Sequence, residues 1–241
     1  MTTTLASKQY EAVITTDPRI VRACQELRHS VFTTEFGAAP HTGGLDVDEF
    51  DDVCEHLAVS CDGEVVGTYR LLPPGRSARL YSQSEFDLDG LTPLRPFLVE
   101  TGRSCVRPDH RSGGVINLMW AAMARYVVRH GYRYLAGCAS VSLADGGAAA
   151  AATWALAQAN HQPAGELRVE PHRPWIPLPR GERPPGYAQV PPLLRGYLRL
   201  GAWVCGPPAH DPDFAVADFF TVLAVDQINE RYRRYFLGDD S

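Results

Sequence analysis

No apolar run in this 241-residue chain reaches the roughly 18 to 20 residues needed to cross a bilayer. The start, MTTTLASKQYEAV, lacks the basic opening and apolar core of a signal peptide. Cysteine is thinly spread. Its six copies, Cys24, Cys54, Cys61, Cys105, Cys138 and Cys205, contain no CxxC pair, so reduced, packed thiols are expected and no metal site is. Positive charge is in deficit: a net charge of −5 argues against nucleic acid as the main partner. Walker and GxGxxG phosphate motifs, an EF-hand loop and a GxSxG nucleophile elbow are all missing. What remains is an ordinary composition, long enough to bury one substantial core. A single cytoplasmic domain over residues 1–241 is the expectation, with a proline-rich insertion at about 163–192.

The richest stretch runs from Phe97 to Tyr126. An apolar strand, Phe97-Leu98-Val99, is interrupted by Glu100, Gly102 and Arg103, resumes at Cys105-Val106 and stops at Pro108. The turn Asp109-His110-Arg111-Ser112-Gly113-Gly114 leads into a helix near Val115, where Val115, Leu118, Met119, Ala122, Met123 and Tyr126 form one apolar stripe. A carboxylate in such a strand has either an ion-pair partner, Arg103 or Arg70, or a task as a base whose pKa burial raises. Regular alternation puts Glu100 and Arg103 on opposite faces, but Gly102 between them can mark a bulge that re-aims side chains. The Arg111–Gly114 turn is either a plain loop or a phosphate site at a helix N-terminus.

Elsewhere, Tyr10 to Ile14 reads as a first strand, and Asp17-Pro18 opens a helix to about Phe32 with Ile20, Cys24, Leu27 and Val31 buried. Asp46, Asp48, Glu49, Asp51 and Asp52 form an acidic loop that is solvated or holds a cation or a substrate ammonium. Asp62-Gly63 predicts a two-residue hairpin pairing Cys61 with Glu64 and Val59 with Val66. That alternation sets Val66, Thr68 and Arg70 on one face, with Arg70 either a structural ion pair or a substrate clamp. A short helix is expected near Ser84, and a strand over Tyr132–Ser140 completes a βαβ unit. Asp145 caps an alanine-rich helix over about 147–159. Residues 163–192 hold nine prolines and read as a draped loop or a lid. A helix from Leu193 to Ala202, a strand from Asp218 to Val225 and a closing helix from Gln227 to Phe236 follow. In the last helix Arg231, Arg233 and Arg234 make a solvated face or dock an acidic partner or anionic membrane.

These stretches together resemble a known family. The carriers are Val31-Phe32 with Glu35-Phe36-Gly37, Asp48 to Asp51 before Cys54-Glu55-His56-Leu57, and Gly67-Thr68-Tyr69-Arg70-Leu71-Leu72. Glu100-Thr101-Gly102-Arg103-Ser104-Cys105-Val106, Gly137-Cys138-Ala139-Ser140 and the run from Leu193 to Ala202 continue it, with Gly206-Pro207-Pro208-Ala209 and Asp218-Phe219. The sequence resembles the ornithine N-acyltransferases of ornithine-lipid synthesis, a hemolysin-like branch of the GNAT acyltransferases. More distantly it is similar to acyl-homoserine lactone synthases, through Arg28, Phe32, Asp46, Asp48, Asp51, Arg70, Glu100 and Arg103. The segments His110–Gly114 and Val141 depart from the family pattern, which leaves acceptor and chain length open.

The resemblance implies an α/β, GNAT-like three-layer fold, its mixed sheet splayed around an acyl-pantetheine cleft. It implies Glu100 and Arg103 as catalytic, and Arg28, Phe32, Asp46, Asp48, Asp51 and Arg70 as acceptor-binding. Cys105, Val106, Arg111, Ser112, Gly113, Gly114, Val115 and Ser140 would hold the acyl-pantetheine, with a strand N–H near Cys105 as oxyanion donor. The acyl chain would enter the apolar interior, each buried methylene contributing about 0.8 kcal/mol. No permanent cofactor or metal is implied. Acyl-phosphopantetheine is the co-substrate, on acyl carrier protein or as acyl-CoA, with Arg107, Arg111 and Arg125 receiving the acidic carrier. The expected reaction moves a (3-hydroxy)fatty acyl group to the α-amine of L-ornithine, giving lyso-ornithine lipid, with peripheral contact at the inner membrane face an option. Other readings are an N-acyl amino acid synthase with a different acceptor, a homoserine-lactone synthase, and a non-catalytic lipid-binding or hemolysin-like protein.

Overall fold

The computed structural model describes residues 9–36, 43–163, 165, 167–177 and 186–237. In chain order, β1 is Tyr10–Thr15, α1 Pro18–Phe36, β2 Glu55–Cys61, β3 Glu64–Leu72, β4 Phe86–Asp87 and β5 Leu98–Val106. Then come α2 Gly114–Arg129, β6 Tyr134–Ser142, α3 Ala148–Asn160, β7 Glu170–Pro171 and α4 Pro192–Leu200. The chain closes with β8 Trp203–Val204, β9 Ala209–Asp211, β10 Val216–Ala224 and α5 Glu230–Leu237. It packs as two compact units, one made of residues up to Leu72 with Thr101–Tyr126, the other of Pro73–Glu100 with residues from Val127 on. Both β5 and α2 contribute one end to each.

In the first unit the strand order is β1-β2-β3-β5. Asp17 Oδ1 accepts the Arg19 N–H at 2.8 Å, the cap expected at the start of α1, and Cys24, Leu27 and Val31 are buried on its inner face. The helix runs four residues beyond the expected Phe32. Asp62 (φ 53°) and Gly63 (φ 84°) take the left-handed backbone that a two-residue hairpin demands. Cys61 pairs with Glu64 as expected, but a bulge between Val59 and Ser60 shifts the register, and Val59 lies opposite Gly67 rather than Val66. Gly67 is required there. A Cβ on it would stand 2.7 Å from Val115 Cγ1 and 3.1 Å from Met119 Sδ, because the apolar stripe of α2 lies directly against β3.

In the second unit the order is β5-β6-β10-β8, with β9 also on β10. The βαβ unit is parallel, as the spacing predicts, with Leu98↔Tyr134, Val99↔Leu135 and Glu100↔Ala136. The register ends at Glu100 although both strands continue. β6 and β10 pair antiparallel over their full lengths, from Val216↔Ser142 to Ala224↔Tyr134. One face of this pair carries Ala139, Val141, Ala217 and Phe219 into a core with Leu156 of α3 and Leu194 and Leu198 of α4. Asp145 accepts the Gly147 and Ala149 N–H groups and so starts α3 as expected.

The described part of the proline-rich segment is an ordered loop. The N–H groups of Val169, His172 and Trp175 donate to the carbonyls of Cys205, Glu85 and Pro208, and β7 pairs with β4. Residues 164, 166 and 178–185 of that segment, and Gly37 of the family pattern, lie outside the described residues. No described helix is long and apolar enough to cross a membrane.

Candidate functional site

The first unit gathers the acceptor-binding residues expected from sequence into one charged network. Arg28, fully buried on α1, donates from Nε to Asp46 Oδ2 at 2.8 Å and from Nη2 to Asp51 Oδ1 at 2.6 Å and to the Asp46 carbonyl. Arg70 on β3 donates from Nη1 to Asp48 Oδ1 at 2.6 Å and Asp51 Oδ2 at 2.8 Å. Burial alone would raise the Asp51 carboxyl, but the charge and hydrogen bond of Arg28, the Asp48 N–H and Arg70 bring it down to about 2. Asp46, Asp48 and Asp51 are therefore neutralised from inside the unit rather than left open for a cation, while Glu49 and Asp52 of the same loop are exposed. His56 lies beside this network with no exposure, its pKa lowered by burial and by Arg28, so it packs as a neutral imidazole.

Arg103 is held differently. It has φ 50° inside β5, the break in alternation that Gly102 hinted at, and its guanidinium reaches toward Asp46 and Asp48 at 3.6 and 3.5 Å. Phe32 lies under it at 5.9 Å and Phe50 under Arg70 at 5.8 Å.

At the start of α2, Gly113 takes φ 93°, and its carbonyl is the acceptor of the Asn117 N–H. The N–H groups of residues 114–116 thus precede the helical ladder, the arrangement that receives phosphate. Ser112 is exposed beside them, whereas Arg111 is engaged with Glu35 Oε1 (2.6 Å) and the Val106 carbonyl. The Cys105 side chain packs on Leu27 and Val31, and burial pushes its thiol up to about 12. Only the backbone of Cys105 is suited to the expected role. Of the other arginines assigned to a carrier protein, Arg107 bridges Glu64 and Asp109, and Arg125 is exposed.

In the second unit Glu100 is 4 % exposed. Its two carboxylate oxygens accept the backbone N–H groups of Tyr81 (2.7 Å) and Ser82 (2.9 Å), at the start of a single 3-10 turn over Tyr81–Ser84. These donors fix the carboxylate's direction. The expected short helix near Ser84 is this turn. Its job of gripping Glu100 has no side-chain signature, so it escapes sequence reading. Cys138 Sγ donates to Ser82 Oγ at 3.3 Å, and Ser140, two residues on and on the same face of β6, donates to Asp218 Oδ1 at 2.5 Å. Glu85 stands directly after the turn, its Oε2 enclosed and without a hydrogen-bond partner. Burial, with Asp218, Asp211 and Glu100 nearby, pushes Glu85 up to about 8. Burial also raises Asp218, with its hydrogen bonds to Ser140 and Glu85 opposing. Glu85 was not among the expected site residues, and Asp218 figured only in a motif without a role.

With this geometry in hand, the relatives are informative. Residues 27–121 match the acetyltransferase (GNAT) domain family, a span that holds every expected site residue except Ser140. The L-ornithine N(alpha)-acyltransferase of Rhodobacter capsulatus is 34 % identical over 258 residues, covering 96 % of this chain and 96 % of its own. That of Brucella abortus is 33 % identical over 240 residues, covering 90 % of this chain and 84 % of its own. The chain belongs to the L-ornithine Nα-acyltransferase family. Among solved structures, a CoA-dependent acyl-homoserine lactone synthase, BjaI, with SAM and isopentyl-CoA, has a TM-score of 0.59 at 16 % identity, covering 95 % of this chain and 88 % of its own. The acyl-homoserine lactone synthase LasI has a TM-score of 0.57 at 12 % identity, covering 96 % of each chain. These likenesses are of fold, and they agree with the GNAT-like α/β class that the resemblance implied. Like the rest of the L-ornithine Nα-acyltransferase family, this chain is an N-acyltransferase.

Proposed function

We propose that the protein transfers a 3-hydroxyacyl or related fatty acyl group from the phosphopantetheine thioester of acyl carrier protein to the α-amine of L-ornithine, yielding lyso-ornithine lipid. The observation that carries this reading is Glu100: a buried carboxylate aimed by two backbone N–H groups, in a chain whose full-length relatives are named for ornithine acylation. Glu100, directly or through one water, takes a proton from the α-ammonium. The neutral amine adds to the thioester carbonyl, and a strand N–H at Cys105 receives the oxyanion. Collapse breaks the C–S bond, and the pantetheine sulfur leaves as a thiol once protonated. The phosphate of the arm is received by the N–H groups that open α2, beside Ser112 and Gly113, with Val106 along the arm. No covalent acyl-enzyme is required, since positioning both substrates supplies much of the acceleration.

Arg103, three residues after Glu100 on β5, orients the acceptor carboxylate. Its side chain is 23 % exposed, whereas Arg28 and Arg70 are buried, tied down at 2.6–2.8 Å, and frame the loop. The carrier protein meets the basic side chains around Arg107, Arg111 and Arg125, and the reaction takes place in the cytoplasm at the inner face of the membrane.

The test is product identification. Purified protein is supplied with 3-hydroxyacyl carrier protein or the matching CoA thioester and with a panel of amino acids, and products are read by mass spectrometry. Nα-acylornithine, formed faster from the carrier protein, is expected. Acylation of a different amine would replace the acceptor, and no product from either donor would bring a non-catalytic lipid-binding role forward.

A further inference from the structure

The aspartates of the first unit cannot easily serve as the receptor for a side-chain ammonium, because Arg28 and Arg70 already occupy them at hydrogen-bond distance. The second unit has the opposite imbalance. Asp218, 3 % exposed, and Glu85 are carboxyls close enough to share a hydrogen bond, with Asp211 and Glu100 adding like charge. Among the described residues neither has an Arg, Lys or His within ion-pair distance. The side-chain hydroxyl of Ser140 serves Asp218, and Glu85 Oε2 is sealed from solvent with nothing to accept. Such an arrangement costs free energy in the folded chain, through desolvation and like-charge repulsion, unless a proton or another cation sits in it. An ammonium, which donates several hydrogen bonds, fits such a pair of acceptors, and no set of three His, Cys, Asp or Glu among the described residues could hold a metal ion.

The position is telling as well. Glu85 directly follows the Tyr81–Ser84 turn whose N–H groups hold Glu100, and Ser140 lies on the β6 face that carries Cys138, itself bonded to Ser82 of that turn. Ser140, which donates to Asp218, is itself exposed at this face. A diamino acid whose α-amine is offered to Glu100 carries its second ammonium a few bonds away.

We infer that Glu85 and Asp218 bind the side-chain ammonium of a diamino-acid acceptor and are the residues that select it over a monoamino acid. This rests on the acyl-transfer reading for its biological meaning, but the site itself is tested by binding. Glu85, protonated near neutrality in the empty site, gives up its proton as the ammonium arrives.

The experiment uses calorimetry on the whole chain with ornithine and with norvaline, which has the same carbon chain without the second amine, in two buffers of different ionisation enthalpy. Ornithine is expected to bind at least tenfold tighter and to release a proton that norvaline does not. E85Q and D218N should abolish both differences while leaving norvaline binding within about twofold. Should D218N fail to melt cooperatively, E85Q decides alone, since Glu85 Oε2 accepts no hydrogen bond whose loss would unfold the chain. Equal binding of the two amino acids, or a preference that survives E85Q, overturns the inference. Turnover with an acyl donor then separates the two claims. Acylation of ornithine with an unchanged ornithine-to-norvaline ratio in E85Q keeps the function and removes this site. Glu85-dependent ornithine binding without acylation of any amine keeps the site and removes the function.

Discussion

Arg28 is a buried guanidinium and Glu85 a half-buried carboxyl, and their surroundings make them opposites. Arg28 has a full set of acceptors, so removing it strands Asp46 and Asp51 in the interior. R28M should cost about 3–5 kcal/mol in a denaturant titration. A loss below about 1 kcal/mol would mean that the network is not buried as described. Among the described residues Glu85 has no cation beside it. Its pKa is raised in the fold from 4.5 to about 8, so between those values the folded chain keeps a proton that the unfolded chain has lost, and stability falls as pH rises. Melting temperatures of wild type and E85Q should therefore diverge across pH 5 to 8, with wild type showing the steeper decline. Parallel curves would contradict the assignment. Glu100 was legible because a carboxylate stands out in an apolar strand. Glu85 and Asp218 were not, because each is an ordinary acid in its own neighbourhood and only the pairing of β6 with β10 and the turn before β4 brings them together.

Elements were easier to read than their junctions. The hairpin at Asp62-Gly63, the Asp17 cap and the stripe of α2 each follow from local chemistry, and each is present. The bulge at Val59/Ser60 was missed because nothing in either strand announces one, and it changes which residue faces Val59. The irregularity on β5 was half-announced by Gly102, and the left-handed residue proved to be its neighbour Arg103. Gly67 shows what the junctions require. G67A should lose about 1–3 kcal/mol, since Val115 Cγ1 must retreat from a Cβ at 2.7 Å and Val115 is wholly buried. An unchanged chemical denaturation midpoint would mean that α2 does not lie so close to β3. The short strands β4, β7, β8 and β9 have two or three residues each, too few to leave a periodic signal.

For the whole molecule, the resemblance pointed to a mixed α/β acyltransferase, in agreement with the family match, and the lack of long apolar runs agrees with there being no described helix able to cross a membrane. What composition could not reveal is the division of charge. One unit balances its carboxylates with arginines and the other leaves carboxyls unbalanced, although the chain's net charge of −5 gives no hint of either. In the proposed reaction Glu100 is the base that frees the α-amine. Its most direct test is turnover of ornithine with saturating 3-hydroxyacyl carrier protein, wild type against E100Q, with a thermal melt confirming that both fold. A fall of about 10²–10⁴ in kcat at neutral pH is predicted for E100Q. Near-normal turnover in the variant would contradict the mechanism.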